Sequence, residues 1–186
     1  MDEHAVEVET DRTRLVLMSA QFIDLILSGK RAEAERVLGA TVPDDWPDED
    51  DRWLLRLRGE QIRADESSAP WLVRAVVDRK NARMLGHMGF HGPPDDRGTV
   101  EIGYTIFADH RRRGFAEEAV RALIEWAHEH PGVTRFRASV APDNEPSLRL
   151  IDKLGFFQTG VQWDERDGEE LVFEVNYPLR APPARA

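Results

Sequence analysis

The chain has 186 residues, of which 41% are hydrophobic, and this suits one domain with a substantial core. Its formal net charge of -10 argues against a nucleic-acid-binding protein, which needs a surplus of Lys and Arg to neutralise phosphates. The absence of Cys excludes disulfides, zinc-thiolate sites, iron-sulfur clusters and Cys nucleophiles.

Membrane and secretion signals are missing from the sequence pattern. No apolar stretch approaches the roughly 20 residues that a membrane span requires. Residues 1–10 are acidic, whereas a secretion signal is basic and then apolar. We therefore expect a cytoplasmic protein that does not bind membranes.

The spacing of apolar residues predicts alternating short helices and strands. In chain order these are a strand at 14–18, helices at 21–27 and 32–38, a helix that begins near 53, strands at 71–77, 84–91 and 99–107, a long helix from 115, a strand at 135–140, a helix at 145–154, and a closing hairpin of 156–163 and 170–177. Residues 1–12 and the Pro-rich tail 178–186 are expected to be mobile, and 13–177 to form a single domain.

The segment 44–51 is the most acidic part of the chain, with six acidic residues in eight positions around Trp46 and Pro47. Acidic residues favour a helix N-terminus, so the segment can be a solvated loop that caps the next helix. Alternatively, Trp46 or Trp53 lines a substrate pocket beside these charges. The sequence does not separate the two interpretations.

The most informative pattern follows the strand at 99–107. Arg111–Ala116, which we call the arginine loop, reads Arg-Arg-Arg-Gly-Phe-Ala and opens the long helix. Unpaired N–H groups and the helix dipole can bind a phosphate there, and small residues at Gly114 and Ala116 let it approach. The same residues also suit an ordinary helix start. The glycines and lysine of Walker and dinucleotide motifs are missing, which leaves coenzyme A as the phosphate ligand that fits best.

With this loop and three further motifs, the sequence resembles the GNAT superfamily of N-acetyltransferases. The loop matches the family signature Gln/Arg-x-x-Gly-x-Gly/Ala, and residues 100–104 (Val-Glu-Ile-Gly-Tyr) resemble the strand before it. Residues 140–147 resemble the segment after the next strand, and Lys153–Phe156 resembles Lys-x-Gly-Phe. The similarity is greatest to the branch of ribosomal-protein N-terminal alanine acetyltransferases.

The resemblance implies an α/β (α+β) fold whose mixed, mostly antiparallel central sheet is flanked by helices. Two strands splay apart where acetyl-coenzyme A binds, and a backbone N–H in 104–107 can polarise the thioester carbonyl. The implied cofactor contacts are Ile106, Phe107, Ala108, Arg111, Arg112, Arg113, Gly114, Phe115, Ala116, Asn144 and Ser147. Asn144 can equally be a helix cap.

Acetyl transfer to an amine requires that a proton leaves the nitrogen, because amines are protonated near neutral pH. Glu101 is our first candidate for the general base, since the position is acidic in many relatives; it can also bind substrate or pair with an Arg. Many members place a Tyr where this chain has Ile151, so Ser147 is the candidate hydrogen-bond donor to the leaving thiolate. Without Cys as an acyl carrier, direct attack in a ternary complex is favoured.

The histidines do not predict a metal site. His87 and His91 would lie about 13 Å apart on a strand. His128 and His130 do not share a helix face. We predict no metal.

Three functions stay open from the sequence. The first is an acetyl-coenzyme A dependent N-acetyltransferase acting on a small-molecule or peptide amine. The second is a noncatalytic acyl-coenzyme A binding module, which the Ile151 departure permits, and the third is an acyltransferase for longer acyl chains. Since family members often pair through strands or helices, a homodimer is compatible with the resemblance.

Overall fold

The computed structural model of the protein describes residues 7–181, so the predicted mobile residues 1–6 and 182–186 lie outside it. Its strands are β1 Val8–Glu9, β2 Thr13–Leu17, β3 Arg74–Asp78, β4 Arg83–Phe90, β5 Thr99–Ile106, β6 Arg135–Val140, β7 Phe157–Asp164 and β8 Gly168–Asn176. Its α-helices are α1 Ala20–Leu27, α2 Arg31–Leu38, α3 Glu49–Ala64, α4 Phe115–His128 and α5 Glu145–Leu154. Within 7–181, every helix is too short or too polar to cross a membrane.

The strands follow the order β1-β2-β3-β4-β5-β6-β8-β7. β5 and β6 run parallel, whereas β1–β2, β2–β3, β3–β4, β6–β8 and β7–β8 are antiparallel. This confirms the predicted mixed, mostly antiparallel sheet flanked by helices. The chain divides into two compact units, one made of residues up to 93 with 104–123 and the other of 94–103 with the residues from 124 onward.

The first unit has a core in which α1, α2 and α3 supply apolar side chains to the strands. Ser19 caps helix α1, because its side chain accepts a hydrogen bond from the Phe22 N–H. Burying each large side chain of this core contributes about 1.5–3 kcal/mol. The core residues include Met18, Phe22, Ile23, Ile26, Leu38, Trp46, Leu55, Leu72, Val73, Val77 and Met84.

A hydrogen bond between Asp51 and the buried His87 fixes the first turn of α3 against β4. Asp48 caps the helix by accepting a hydrogen bond from the Asp51 N–H, which agrees with the capping interpretation of the acidic segment. The Asp51 carboxylate in turn lies 2.8 Å from Nε2 of His87, whose side chain is 8% exposed. Burial raises the pKa of Asp51, but the hydrogen bond and charge of His87, with the contacts to Asp48, outweigh it and lower that pKa.

In the second unit, helix α5 packs against strand β6. Its core includes Phe136, Ala138, Ile151, Leu154 and Val175, all buried. Helix α5 begins and ends where the sequence predicts, because the Asn144 side chain accepts from the Ser147 N–H and Gly155 adopts φ 92°.

The element boundaries differ from prediction in several places. Helix α3 begins at Glu49 instead of near residue 53, because Asp48 caps it. The strand predicted at 71–77 begins only at Arg74, since Glu66–Trp71 forms a 3-10 helix. Strand β1 lies within residues 1–12, which we expected to be mobile, and it pairs with β2. Arg180 lies in the tail 178–186, also expected to be mobile, and its N–H donates to the Leu154 carbonyl.

Gly86 provides a stability test of the close approach between β4 and β5. A Cβ added at Gly86 would lie 2.0 Å from the Thr105 carbonyl oxygen and 2.9 Å from the Ile106 Cα, both backbone atoms that cannot move independently. We expect Gly86→Ala to lower the free energy of unfolding by at least about 1–3 kcal/mol. The control is Gly92→Ala, because nothing lies within 4 Å of its Cβ position. Equal melting temperatures for the two variants would contradict the close approach.

The pair of Asp51 and His87 provides a test by pH. Because the folded-state pKa of Asp51 is lowered, its stabilisation is complete above about pH 4 and is lost as the pH falls below that. We expect Asp51→Asn to cost about 1–3 kcal/mol at pH 7 and much less at pH 3. Glu49→Gln, on the same helix turn but exposed, controls for the helix dipole. Denaturant unfolding measures both, and an Asp51→Asn deficit that does not change with pH would contradict a stabilising role of the ionised Asp51 carboxylate.

Candidate active site

The arginine loop has a backbone shape that two left-handed residues impose. Arg112 has φ 58° and Gly114 has φ 79°. Glycine adopts this region freely, whereas Arg112 does so at a cost of about 1–2 kcal/mol. The Gly114 carbonyl accepts a 3.1 Å hydrogen bond from the Glu118 N–H, so Gly114 caps α4. Nε of Arg111 donates to the Ile106 carbonyl at 2.8 Å, which fastens the loop to the end of β5.

The loop presents donors and positive charge to solvent. Arg111–Gly114 are exposed, and helix geometry leaves the N–H groups of Phe115 and Ala116 without partners inside α4. Burial and then the charges of Arg83 and Arg113 lower the pKa of His110 beside the loop. An anion at this helix terminus would therefore meet amides, a helix dipole and cationic side chains together.

The predicted contacts at the end of β5 differ in their accessibility. Ile106 is buried, Phe107 is half-buried and Ala108 is exposed. The Phe107 N–H already donates to the Leu85 carbonyl at 2.9 Å. Because N–H groups alternate between the two edges of a strand, the Ile106 N–H points to the opposite edge and is the better candidate donor to a thioester carbonyl.

Trp46 and Trp53, the predicted pocket residues, lie in different environments. Trp46 is 4% exposed and packs among aromatic rings, with centroids 6.3 Å from both His87 and Phe107, whereas Trp53 is 45% exposed. The guanidinium of Arg31 fixes the loop by donating to the carbonyls of Pro43 and Trp46, each at 2.6 Å.

The indole N–H of Trp46 is buried and has no hydrogen-bond partner within residues 7–181. Leaving a buried donor unpaired costs about 1–3 kcal/mol.

Glu101 lies in a polar network of the second unit. The parallel ladder of β5 and β6 ends with the pair Glu101–Arg137. Beyond it, the Ser139 hydroxyl donates to the Glu101 carboxylate at 2.6 Å and accepts from Gln162 at 3.1 Å. This charge-assisted bond orients one carboxylate oxygen of Glu101.

Asn144 and Ser147 also belong to the second unit. Asn144 is exposed, and its side-chain oxygen accepts from the half-buried Ser147's N–H at 3.2 Å, as expected for a helix cap. Ile151, at the position where many relatives have a Tyr, is 1% exposed. Contact of Asn144 and Ser147 with a cofactor stays a prediction.

Two residues that contact the predicted site residues, Ser139 and Arg12, were not identified from the sequence. Ser139 could have been found, because alternation on β6 places it on the same sheet face as Arg137, the register partner of Glu101. Arg12 contacts the arginine loop from far away in the chain, and no local pattern indicates that.

Possible metal ligands are dispersed in the described part of the chain. Between residues 7 and 181, no three His, Asp or Glu side chains cluster in a way that could hold an ion. His87, one of the histidines considered above, is engaged by Asp51.

Known proteins match the chain over most of its length. Residues 14–157 match the family model described as an acetyltransferase (GNAT) domain. The uncharacterized N-acetyltransferase YjdG of Bacillus subtilis is 31% identical over 151 residues, which cover 81% of this chain and 89% of that protein.

Solved structures share the fold at lower identity. The ribosomal-protein-S5-alanine acetyltransferase of Vibrio fischeri has a TM-score of 0.64 at 16% identity, covering 92% of this chain and 96% of that one. The microcin C7 self-immunity acetyltransferase MccE, solved with acetyl-CoA and AMP, has a TM-score of 0.62 at 15% identity, covering 90% and 93%. With the family model spanning residues 14–157, these similarities establish that the chain belongs to the GNAT family of acetyltransferases.

Proposed function

We propose that the protein transfers an acetyl group from acetyl-coenzyme A to a primary amine by direct attack within a ternary complex. The observation that carries this proposal is the arginine loop, where Gly114 caps α4 and three exposed arginines surround its N-terminus. Because the chain belongs to an acetyltransferase family, we infer that the anion bound at this loop is the pyrophosphate of the acetyl donor. MccE, a structural neighbour, was solved with acetyl-CoA, which supports the choice of cofactor.

The arginine loop would hold the pyrophosphate of coenzyme A. The N–H groups of Phe115 and Ala116 offer hydrogen bonds to phosphate oxygens, and the exposed side chains of Arg111–Arg113 supply positive charge. In the family pattern, the arm of the cofactor then follows β5 towards residues 106–108. Asn144 and Ser147 are the proposed contacts from α5.

The reaction requires one donor to the carbonyl and one acceptor for a proton. The amine nitrogen attacks the thioester carbonyl carbon, the carbon–sulfur bond breaks, and the thiolate takes up a proton. The Ile106 N–H is our candidate to stabilise the oxyanion. Glu101, oriented by the Ser139 hydroxyl, is our candidate to accept the amine proton, directly or through water.

The leaving thiolate has no dedicated acid in this proposal. The buried Ile151 side chain cannot donate a proton. A thiol pKa near 8.5 makes the thiolate a tolerable leaving group. The half-buried Ser147 is the candidate donor of a hydrogen bond to the sulfur.

A cationic amine is the acceptor that the charges favour. The exposed acids Asp44, Asp45 and Asp48 surround Trp46, and Trp53 offers an aromatic surface nearby in sequence. Cations bind well to carboxylates and to aromatic faces.

The cofactor site is tested by Gly114→Trp. A side chain at Gly114 would fill the space where the phosphate approaches, so we expect calorimetry to show at least a hundredfold loss of affinity for coenzyme A. The matched control is Gly29→Trp, since Gly29 has φ 78° against 79° for Gly114 and thus carries the same backbone strain. Nothing lies within 4 Å of the Gly29 Cβ position. Unchanged affinity of a folded Gly114→Trp protein would remove the cofactor from this loop.

The general base is tested by Glu101→Gln. A screen of free-thiol release with polyamines, aminoglycosides, amino acids and peptides first identifies the best acceptor. With that acceptor, we expect Glu101→Gln to lower kcat by about 10²-fold or more while the coenzyme A affinity stays the same. Glu169→Gln, an exposed acid on β8, is the control. A kcat within threefold of the unaltered protein would assign Glu101 a different role.

The same screen separates the alternatives. Binding of acetyl-coenzyme A without thiol release from any amine would favour a noncatalytic binding module. Faster release from succinyl- or longer thioesters than from acetyl-coenzyme A would favour an acyltransferase for a longer acyl group.

A further inference from the structure

Arg12, in the turn between β1 and β2, reaches across to the arginine loop. Its Nη1 donates to the carbonyl of Arg113 at 2.9 Å. Its guanidinium also stacks over Phe115, the first residue of α4, with Cζ 4.6 Å from the ring centroid. These two contacts fix Arg12 beside the residues on either side of Gly114.

Glu118, one turn into α4, holds Arg12 from the other side. Its carboxylate accepts hydrogen bonds from the Arg12 N–H at 2.9 Å, from Arg12 Nε at 2.5 Å and from the Thr10 hydroxyl at 2.5 Å. Burial raises the pKa of Glu118, but these donors and the charge of Arg12 outweigh it and lower that pKa. The carboxylate is therefore ionised at neutral pH and keeps the guanidinium in one orientation.

One edge of the Arg12 guanidinium, at Nη2, remains available for hydrogen bonds. Nη2 of Arg12 makes no hydrogen bond within residues 7–181, and the side chain is 45% exposed. A Cβ added at Gly114 would lie 3.3 Å from this Nη2. The unused donors thus lie next to the small residue above which a phosphate would bind.

From these contacts we propose that Arg12 is a fourth arginine of the phosphate-binding site and donates directly to the pyrophosphate of coenzyme A. The inference rests on the proposed function, because it assumes that coenzyme A binds at the arginine loop. Glu118 offsets one positive charge, while Arg111–Arg113 keep the site cationic. Arg12 differs from those three because ion pairing and stacking orient it before the ligand arrives.

The experiment measures coenzyme A affinity by calorimetry at several salt concentrations for the full-length protein and three variants. Arg12→Gln keeps a donor for the Arg113 carbonyl but removes the charge. Arg12→Lys keeps the charge but loses the planar guanidinium, which can donate from two nitrogens at once. Arg14→Gln is the control. Arg14 belongs to the same hairpin and has equivalent partners, an ion pair with Glu7 and the Gly39 carbonyl.

We expect Arg12→Gln to bind coenzyme A about tenfold more weakly, with a shallower dependence of affinity on salt. Arg12→Lys should keep the salt dependence and stay within about threefold, and Arg14→Gln should bind normally. Melting temperatures without ligand check that each variant is folded. A weaker Arg12→Gln with unchanged salt dependence would mean that Arg12 only shapes the loop, and unchanged affinity would mean that it does not contribute; either overturns the inference. Failure of the unaltered protein to bind coenzyme A would instead overturn the proposed function.

Discussion

The left-handed backbone at Arg112 and Gly114 is the constraint on which the candidate cofactor site depends. It turns the chain from the end of β5 into α4 within a few residues, in a loop whose residues 111–114 are exposed. Side-chain contacts from two directions stabilise this shape, because Arg111 is bonded to the Ile106 carbonyl and Arg12 to the Arg113 carbonyl. Cationic side chains close to one another repel, and the ionised Glu118 offsets part of that cost.

Strand β5 carries the rest of the proposed chemistry, in two separately stabilised halves. Its beginning pairs with β6 up to Glu101, which the Ser139 hydroxyl orients. Its end packs closely on β4, since Gly86 lies against the Thr105 carbonyl and Leu85 accepts from Phe107. The donor proposed for the thioester and the base proposed for the amine therefore each lie in a half of β5 that its own neighbouring strand positions.

Much of the fold could be predicted because local patterns determine it. Helix α5 agrees with its predicted bounds, since Asn144 and Gly155 are strong start and stop signals. The 3-10 helix that ends at Trp71 was not predicted. Trp71 continues directly into the apolar run before β3, and a short apolar run of this kind is typical of a strand. For the site, the arginine loop was visible as one continuous motif. The role of Arg12 was not visible, because its partner Arg113 lies 101 residues further along the chain and only the tertiary fold brings the two together. The burial of Trp46 among Phe22, His87 and Phe107 depends on tertiary packing in the same way.

We propose that backbone amides at the start of α4 bind the pyrophosphate of coenzyme A, and a crystal structure of the complex would reveal these contacts. We expect pyrophosphate oxygens within about 3.2 Å of the N–H groups of residues 114–116, with the arm of the cofactor running along β5 towards Ile106. A complex in which the pyrophosphate lies away from this loop, with the loop amides bonded only to water, would show that these amides do not bind the cofactor.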